Sequence, residues 1–116
     1  MPFINLRTTK KLEEQEKTYL KNEFGKSISI LPGKSEEWLM VSLVDQCSLY
    51  FQGQGKEIND IAFIEVKIYG KSDEESYDKL TEKLTDIVSK KLSIDPMNIY
   101  VEYEETPYWG FNGSNF

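Results

Sequence analysis

The sequence contains no histidine and only one cysteine, Cys47. Without histidine there is no Ser-His-Asp or Cys-His catalysis and no imidazole-ligated metal. One cysteine leaves no intrachain disulfide and no Cys-x-x-Cys pair, and Cys47 reads as a small strand or loop residue rather than a reactive thiol. No apolar run approaches the roughly 20 residues that a membrane span needs. The opening Met-Pro-Phe-Ile-Asn-Leu-Arg lacks the basic stretch and apolar run of a secretory signal, so the expected compartment is the cytoplasm. There is no surplus of positive charge either. The net charge is −6 and the lysines are interleaved with Glu and Asp, the pattern of a solvated surface, which argues against nucleic acid as a partner. What remains is a chain of 116 residues, 39% hydrophobic and 29% charged, read as one domain over 1–116. A chain of this length buries roughly two-thirds of its unfolded surface. No cofactor or metal is called for, and any chemistry falls to carboxylates, lysines, tyrosines or the chain terminus.

The pattern that is present reads as one unit written twice. Ile4 and Leu6 alternate with Asn5 and Arg7 over the first eight residues, the period of a half-buried strand. A helix is expected from about Lys10 to about Ile30, with Leu12, Leu20, Phe24, Ile28 and Leu31 near one face and Glu13 four residues before Lys17. Gly25 costs that helix about 1 kcal/mol relative to alanine, the Ser27–Ile30 stretch alternates like a strand, and Pro32-Gly33 ends the element. Trp38–Val44 is an apolar run of strand length, suited to a strand covered on both faces. Leu49-Tyr50-Phe51 and a Gly53-Gln54-Gly55 turn follow.

The second half repeats the first. Ile61–Tyr69 is a strand ending at Gly70, Ser72 with Glu75 fits a capping box, and Tyr77, Leu80, Leu84, Ile87, Val88 and Leu92 form an apolar stripe over about five helical turns. Asp95-Pro96 breaks the helix and Ile99–Tyr103 forms the last strand. Two β-α-β units in tandem imply an α/β fold, a mixed four-stranded sheet with both helices on one face. That leaves one sheet face and the strand edges open. The tail from Tyr108 to Phe116 carries four aromatics in a segment too rich in Gly and Asn to form its own core, so it marks an interface or pocket wall.

The Met-Pro start to a strand, the tandem β-α-β pattern and the ending Trp-Gly-Phe-Asn-Gly-Ser-Asn-Phe together resemble the macrophage migration inhibitory factor and D-dopachrome tautomerase family, over essentially the whole chain. The resemblance implies a homotrimer with a site at each subunit interface. It implies keto–enol tautomerase activity on phenylpyruvate-like aromatic α-keto acids or dopachrome-like compounds. Pro2 matches the family's N-terminal proline, the general base once Met1 is removed. Lys34 matches its pocket lysine, Tyr69-Gly70 the strand end whose backbone N–H faces substrate, Tyr100 a pocket tyrosine from the adjacent subunit, and Trp109 and Phe111 the apolar mouth.

Chemistry supports these roles. An N-terminal proline offers a secondary amine, which becomes a base near neutral pH only if burial or a neighbouring cation destabilises its protonated form. Lys34 supplies such a cation, and it also suits a substrate carboxylate and a developing enolate oxygen. The bland readings are a surface lysine at 34, interface packing for Trp109 and Phe111, and ordinary strand propensity for Tyr100.

This chain departs from the family pattern at three places. Glu102 replaces an asparagine beside the pocket tyrosine, Phe111 replaces a tryptophan, and Ile61 and Ile64 stand where the best-known member has Cys-x-x-Cys, so no thiol–disulfide activity is carried over. The alternative expectations are a cytokine-like ligand for a cell-surface receptor, exported without a signal peptide as the family is known to be, and hydration or decarboxylation with Glu102 activating water.

Overall fold

The computed structural model describes residues 1–51 and 60–116. The Gly53-Gln54-Gly55 turn expected from the sequence lies outside the described residues. Strand β1 (Pro2–Thr8) is followed by helix α1 (Glu14–Ser27), β2 (Met40–Val44), β3 (Ala62–Tyr69), helix α2 (Glu74–Leu92) and β4 (Ile99–Thr106). A short hairpin, β5 (Gly110–Phe111) and β6 (Ser114–Asn115), comes last. The main sheet has the order β2-β1-β3-β4. β1 runs parallel to β2, β3 runs parallel to β4, and the central pair β1 and β3 is antiparallel. Each helix is thus the crossover of one parallel pair.

Alternation decides which face the helices cover. In β3, Ala62, Ile64, Val66 and Ile68 are buried while the residues between them are half-exposed, and in β1 Ile4 and Leu6 join the same side. These side chains form one cluster with Leu20, Phe24 and Ile28 from the first crossover and with Leu80, Leu84, Val88 and Leu92 of α2. Each fully buried Leu, Ile or Phe contributes roughly 1.5–3 kcal/mol. The opposite face carries Phe3, Asn5, Arg7, Glu65, Lys67, Tyr100, Glu102 and Glu104. It is polar, with Arg7 paired to Glu65 at 3.4 Å, the Asn5 amide donating to Glu65 at 3.0 Å, and Lys67 paired to Glu104 at 3.5 Å.

Several boundaries differ from the sequence expectation. Helix α1 begins at Glu14 rather than Lys10, because Glu13 and Glu16 form the capping box and residues 10–13 are tied to a distant loop. The Leu12 N–H donates to Asp45 at 2.8 Å and the Gln46 N–H to the Lys10 carbonyl at 3.1 Å. The α1 helix stops at Ser27 and Ile28–Ile30 tightens into a 3₁₀ turn. Asp73, not Ser72, caps α2, since its carboxylate accepts the Ser76 N–H at 2.8 Å. Trp38 is not in a strand but closes a 3₁₀ turn, Glu36–Trp38, and β2 is an edge strand open on one face, with Met40 69% exposed. The tail makes the β5–β6 hairpin around Asn112-Gly113, both at positive φ (52° and 90°). An Asn-Gly pair supplies the turn that matches strand twist, a local signal for a hairpin that the sequence reading did not draw on.

Candidate active site

Pro2 starts β1 and is buried, in register with Ile68 on β3. The end of β3 therefore lies against the beginning of the chain. The Tyr69 N–H donates to the Met1 carbonyl at 3.1 Å. On the other side of the same residue, the Tyr69 carbonyl accepts from Lys34 Nζ at 2.9 Å. Lys34 reaches it because the chain turns sharply at Gly33, φ 80°, a conformation that favours glycine. The Met1 amine is held below its usual 8.0, first by burial and then by the charge of Lys34. Both causes disfavour a protonated amine at this place.

A cavity of about 590 Å³ opens beside Pro2. Its walls come from three parts of the chain. Met1, Phe3 and Lys67 enter from the sheet, Glu37, Trp38, Leu39 and Met40 from the segment leading into β2, and Trp109, Gly110 and Phe111 from the tail hairpin. The Trp38 and Phe111 rings meet edge to face at 5.5 Å, Phe111 stacks on Phe116 at 6.3 Å, and Phe116 rests on Tyr69 at 5.4 Å. This aromatic arch spans the strand end where the Met1, Tyr69 and Lys34 contacts converge.

Of the residues singled out in the sequence, Pro2, Trp109 and Phe111 line this cavity, and Tyr69 and, through it, Lys34 connect to its Met1 wall by the contacts above. Tyr100 and Glu102 do not join them within one chain. Pro2 is level with Ile68 and Glu105, whereas Tyr100 is level with Phe63 and Arg7. Five residues along a strand at about 3.3 Å each separate the two levels by about 17 Å. Tyr100 packs instead on Phe51 and Phe63, centroids 5.1 and 6.2 Å away, in an apolar recess of about 470 Å³ that also takes Leu49 and Tyr50. Ile61 and Ile64 are buried core residues.

Sequence reasoning missed Trp38, Lys67, Glu37 and Met40. Trp38 was hidden by its place at the head of an apolar run that looked like strand. Lys67 was hidden because a lysine in an alternating strand is the ordinary solvent-facing choice. Its one signal was parity, since it stands two residues before Tyr69 and so shares its face. A broader depression of about 710 Å³ lies on the outer surface of α2, lined by Lys79, Glu82, Lys83, Asp86 and Lys90. Its alternating charges are those of a solvated helix face.

A family model described as macrophage migration inhibitory factor matches residues 1–116. Among solved structures, the chain is similar to the Leishmania major protein described as MIF2, with 27% identity, a TM-score of 0.89, and coverage of 100% of this chain and 97% of that one. It is also similar to a macrophage migration inhibitory factor homologue from Prochlorococcus marinus, with 27% identity, a TM-score of 0.84, and 98% of both chains covered. A macrophage migration inhibitory factor-like protein from Entamoeba histolytica shares the fold at 23% identity, with a TM-score of 0.84 and coverage of 99% and 98%. No curated protein sequence matches the chain.

Proposed function

The chain belongs to the macrophage migration inhibitory factor family, and from that premise we propose that it is a keto–enol tautomerase of aromatic α-keto acids such as phenylpyruvate, with the Pro2 amine as base after removal of Met1. The observation that carries this reading is the setting of the chain start. The Met1 amine lies against an aromatic-walled cavity, and burial and Lys34 hold its proton affinity down; a Pro2 amine freed one residue further on meets the same two influences.

While Met1 is attached, the Pro2 nitrogen is a tertiary amide and its lone pair is delocalised into the Met1 carbonyl. Removing Met1 frees that lone pair, and it also frees the Tyr69 N–H that now donates to the Met1 carbonyl. The proline nitrogen then takes a proton from the carbon next to the keto group. The C–H electron pair becomes the enol double bond and the carbonyl π pair moves to oxygen. The Tyr69 N–H and the Lys34 ammonium face that developing negative charge. The protonated amine then returns its proton to the oxygen.

The same reading makes the working unit a homotrimer, in which Tyr100 and Glu102 of a neighbouring copy complete each site. It is supported by the separation of these residues from Pro2 within one chain and by the exposed aromatic tail, where Tyr108 is 77% exposed.

The test is phenylpyruvate turnover by protein whose N-terminus is verified by mass. Met1-free protein is expected to be active, with activity falling as pH drops through the lowered pKa of the amine, because the protonated form accepts no proton. Met1-retaining protein is expected to keep its fold and lose most activity. Equal turnover by the two forms would remove Pro2 as the base.

A further inference from the structure

The peptide between Tyr69 and Gly70 is held at both of its polar ends. Its carbonyl accepts from Lys34 Nζ at 2.9 Å, and its N–H, on Gly70, donates to the Thr106 carbonyl at 2.9 Å. Thr106 is the last residue of β4. The chain leaves the strand at Gly70, φ 80°, and runs through Lys71 and Ser72 into α2. Glycine is torsionally free, so a peptide beside it keeps its orientation only where neighbouring contacts hold it. Glu105 supplies such a contact. Its Oε2 accepts from the Ser72 N–H at 3.2 Å and from the Tyr77 hydroxyl at 2.6 Å, and the charge of Lys71 favours the ionised carboxyl. The turn after Tyr69 is therefore pinned to β4 at two successive residues, once by backbone and once by a side chain.

We propose that Glu105 is a positioning residue of this site: by pinning the turn at Ser72 it fixes the Tyr69–Gly70 peptide, and with it the Lys34 ammonium bonded to that peptide. The proposal rests on the tautomerase reading for what Lys34 does to substrate. Glu105 itself touches no reacting atom. It lies on the helix side of β4, exposed, and acts through three links, the Ser72 N–H, the Gly70 turn and the Tyr69 carbonyl. Hydrogen bonds weaken steeply as their angle opens, so a tilt of that peptide releases the ammonium to other positions. A cation that wanders acts less on the neighbouring amine and less on a developing enolate oxygen.

Two readouts on Met1-free protein follow Lys34. One is the pKa of the Pro2 amine, from a nitrogen NMR titration of proline-labelled protein, which needs no substrate. The other is kcat/KM for phenylpyruvate. Glu105→Ala is expected to raise the amine pKa, as Lys34→Met does, and to lower kcat/KM by about tenfold, less than the hundredfold that a 1 Å misplacement can cost. The other charged groups lining the cavity, Glu37 and Lys67, are left in place by both substitutions. Added to Lys34→Met, Glu105→Ala is expected to change neither readout further, because it acts through that lysine. Glu105→Gln keeps an acceptor for the Ser72 N–H and is expected to restore most of the loss. Tyr77→Phe, which leaves the carboxylate to Ser72 alone, is expected to shift both readouts less and in the same direction, and it carries the test if Glu105→Ala does not fold. Tyr103→Phe removes different α2–β4 contacts, the bonds to Thr81 and to the Tyr77 carbonyl, and is expected to lower the thermal midpoint while leaving both readouts unchanged. Wild-type readouts in Glu105→Ala, losses that multiply with Lys34→Met, or an equal loss in Tyr103→Phe would each overturn the assignment. Failure of the tautomerase reading looks different, since the wild type would then not turn over phenylpyruvate while the amine pKa still moved with Glu105.

Discussion

Gly25 faces the turn before β2, and a Cβ built there meets the carboxylate end of Glu36. In the helix alone, glycine costs about 1 kcal/mol relative to alanine. Glu36 is exposed and its carboxylate is the far end of a flexible side chain, so it can swing into water. Gly25→Ala is therefore expected to stabilise the protein by up to about 1 kcal/mol, read as a rise in the thermal midpoint. A clear fall would mean that the Glu36 side chain is held in place and that the glycine is there to receive it. The same kind of local reasoning explains Asn5. It is 6% exposed on the open face of β1 and donates to Glu65, which also holds Arg7. One amide therefore links two strands through a shared carboxylate.

At the scale of elements, α2 and β4 are joined through the Glu105 carboxylate and the Tyr103 side chain. Glu105 accepts from the Tyr77 hydroxyl at 2.6 Å and from the Ser72 N–H at 3.2 Å. The Tyr77 ring packs on Tyr103 at 4.4 Å, and the Tyr103 hydroxyl shares a bond with Thr81 at 2.8 Å. These contacts hold Glu105 below its usual 4.5, the Tyr77 hydrogen bond first and the Ser72 N–H second. Burial and the bond to Glu105 raise the Tyr77 hydroxyl. Since the carboxyl is lowered in the folded state, its contribution to stability is present above the unfolded value of 4.5 and is lost as pH falls through the folded one. Denaturation midpoints followed from pH 6 down to about pH 3 are expected to drop less steeply in Glu105→Gln than in the wild type. Identical slopes would show that the Tyr77 and Ser72 contacts persist with a protonated carboxyl.

At the scale of the whole molecule, two apolar features remain unmatched among the described residues. One is the recess around Phe51, Phe63 and Tyr100, and the other is the tail hairpin with its exposed Tyr108, Phe111 and Phe116. They lie at opposite ends of the sheet, as a head-to-tail ring of copies requires. Truncation before Tyr108 removes the hairpin and, with it, Trp109 and Phe111 of the cavity wall. The truncated protein is expected to sediment as a monomer and to lose phenylpyruvate turnover, while far-ultraviolet circular dichroism keeps the signature of two helices and a sheet. An intact protein that sedimented as an active monomer would contradict the trimer and leave Tyr100 with only its place in the recess.

Much of this architecture follows from the sequence by itself, because it depends on local periodicity. Alternation in β1 and β3 and the 3.6-residue stripe of α2 specify which side chains face the core. Doubling of the strand–helix–strand pattern then leaves little freedom in the topology. The proline after Met1 was legible for the same reason, being tied to a chain position rather than to a fold. Only the tertiary structure decided which residues surround that proline. Trp38, Lys67 and Phe111 come from three separate segments, and what unites them is the register of β3 on β1, a 3₁₀ turn and an Asn-Gly hairpin. Register is set by contacts between distant parts of the chain, so a lysine that reads as a solvent-facing strand residue becomes, once β3 is paired, part of the wall of the cavity that opens beside Pro2. Tyr100 and Glu102 show the reverse. Both are conspicuous in the sequence, and pairing of β4 carries Tyr100 about 17 Å and Glu102 about 10 Å along the sheet from Pro2.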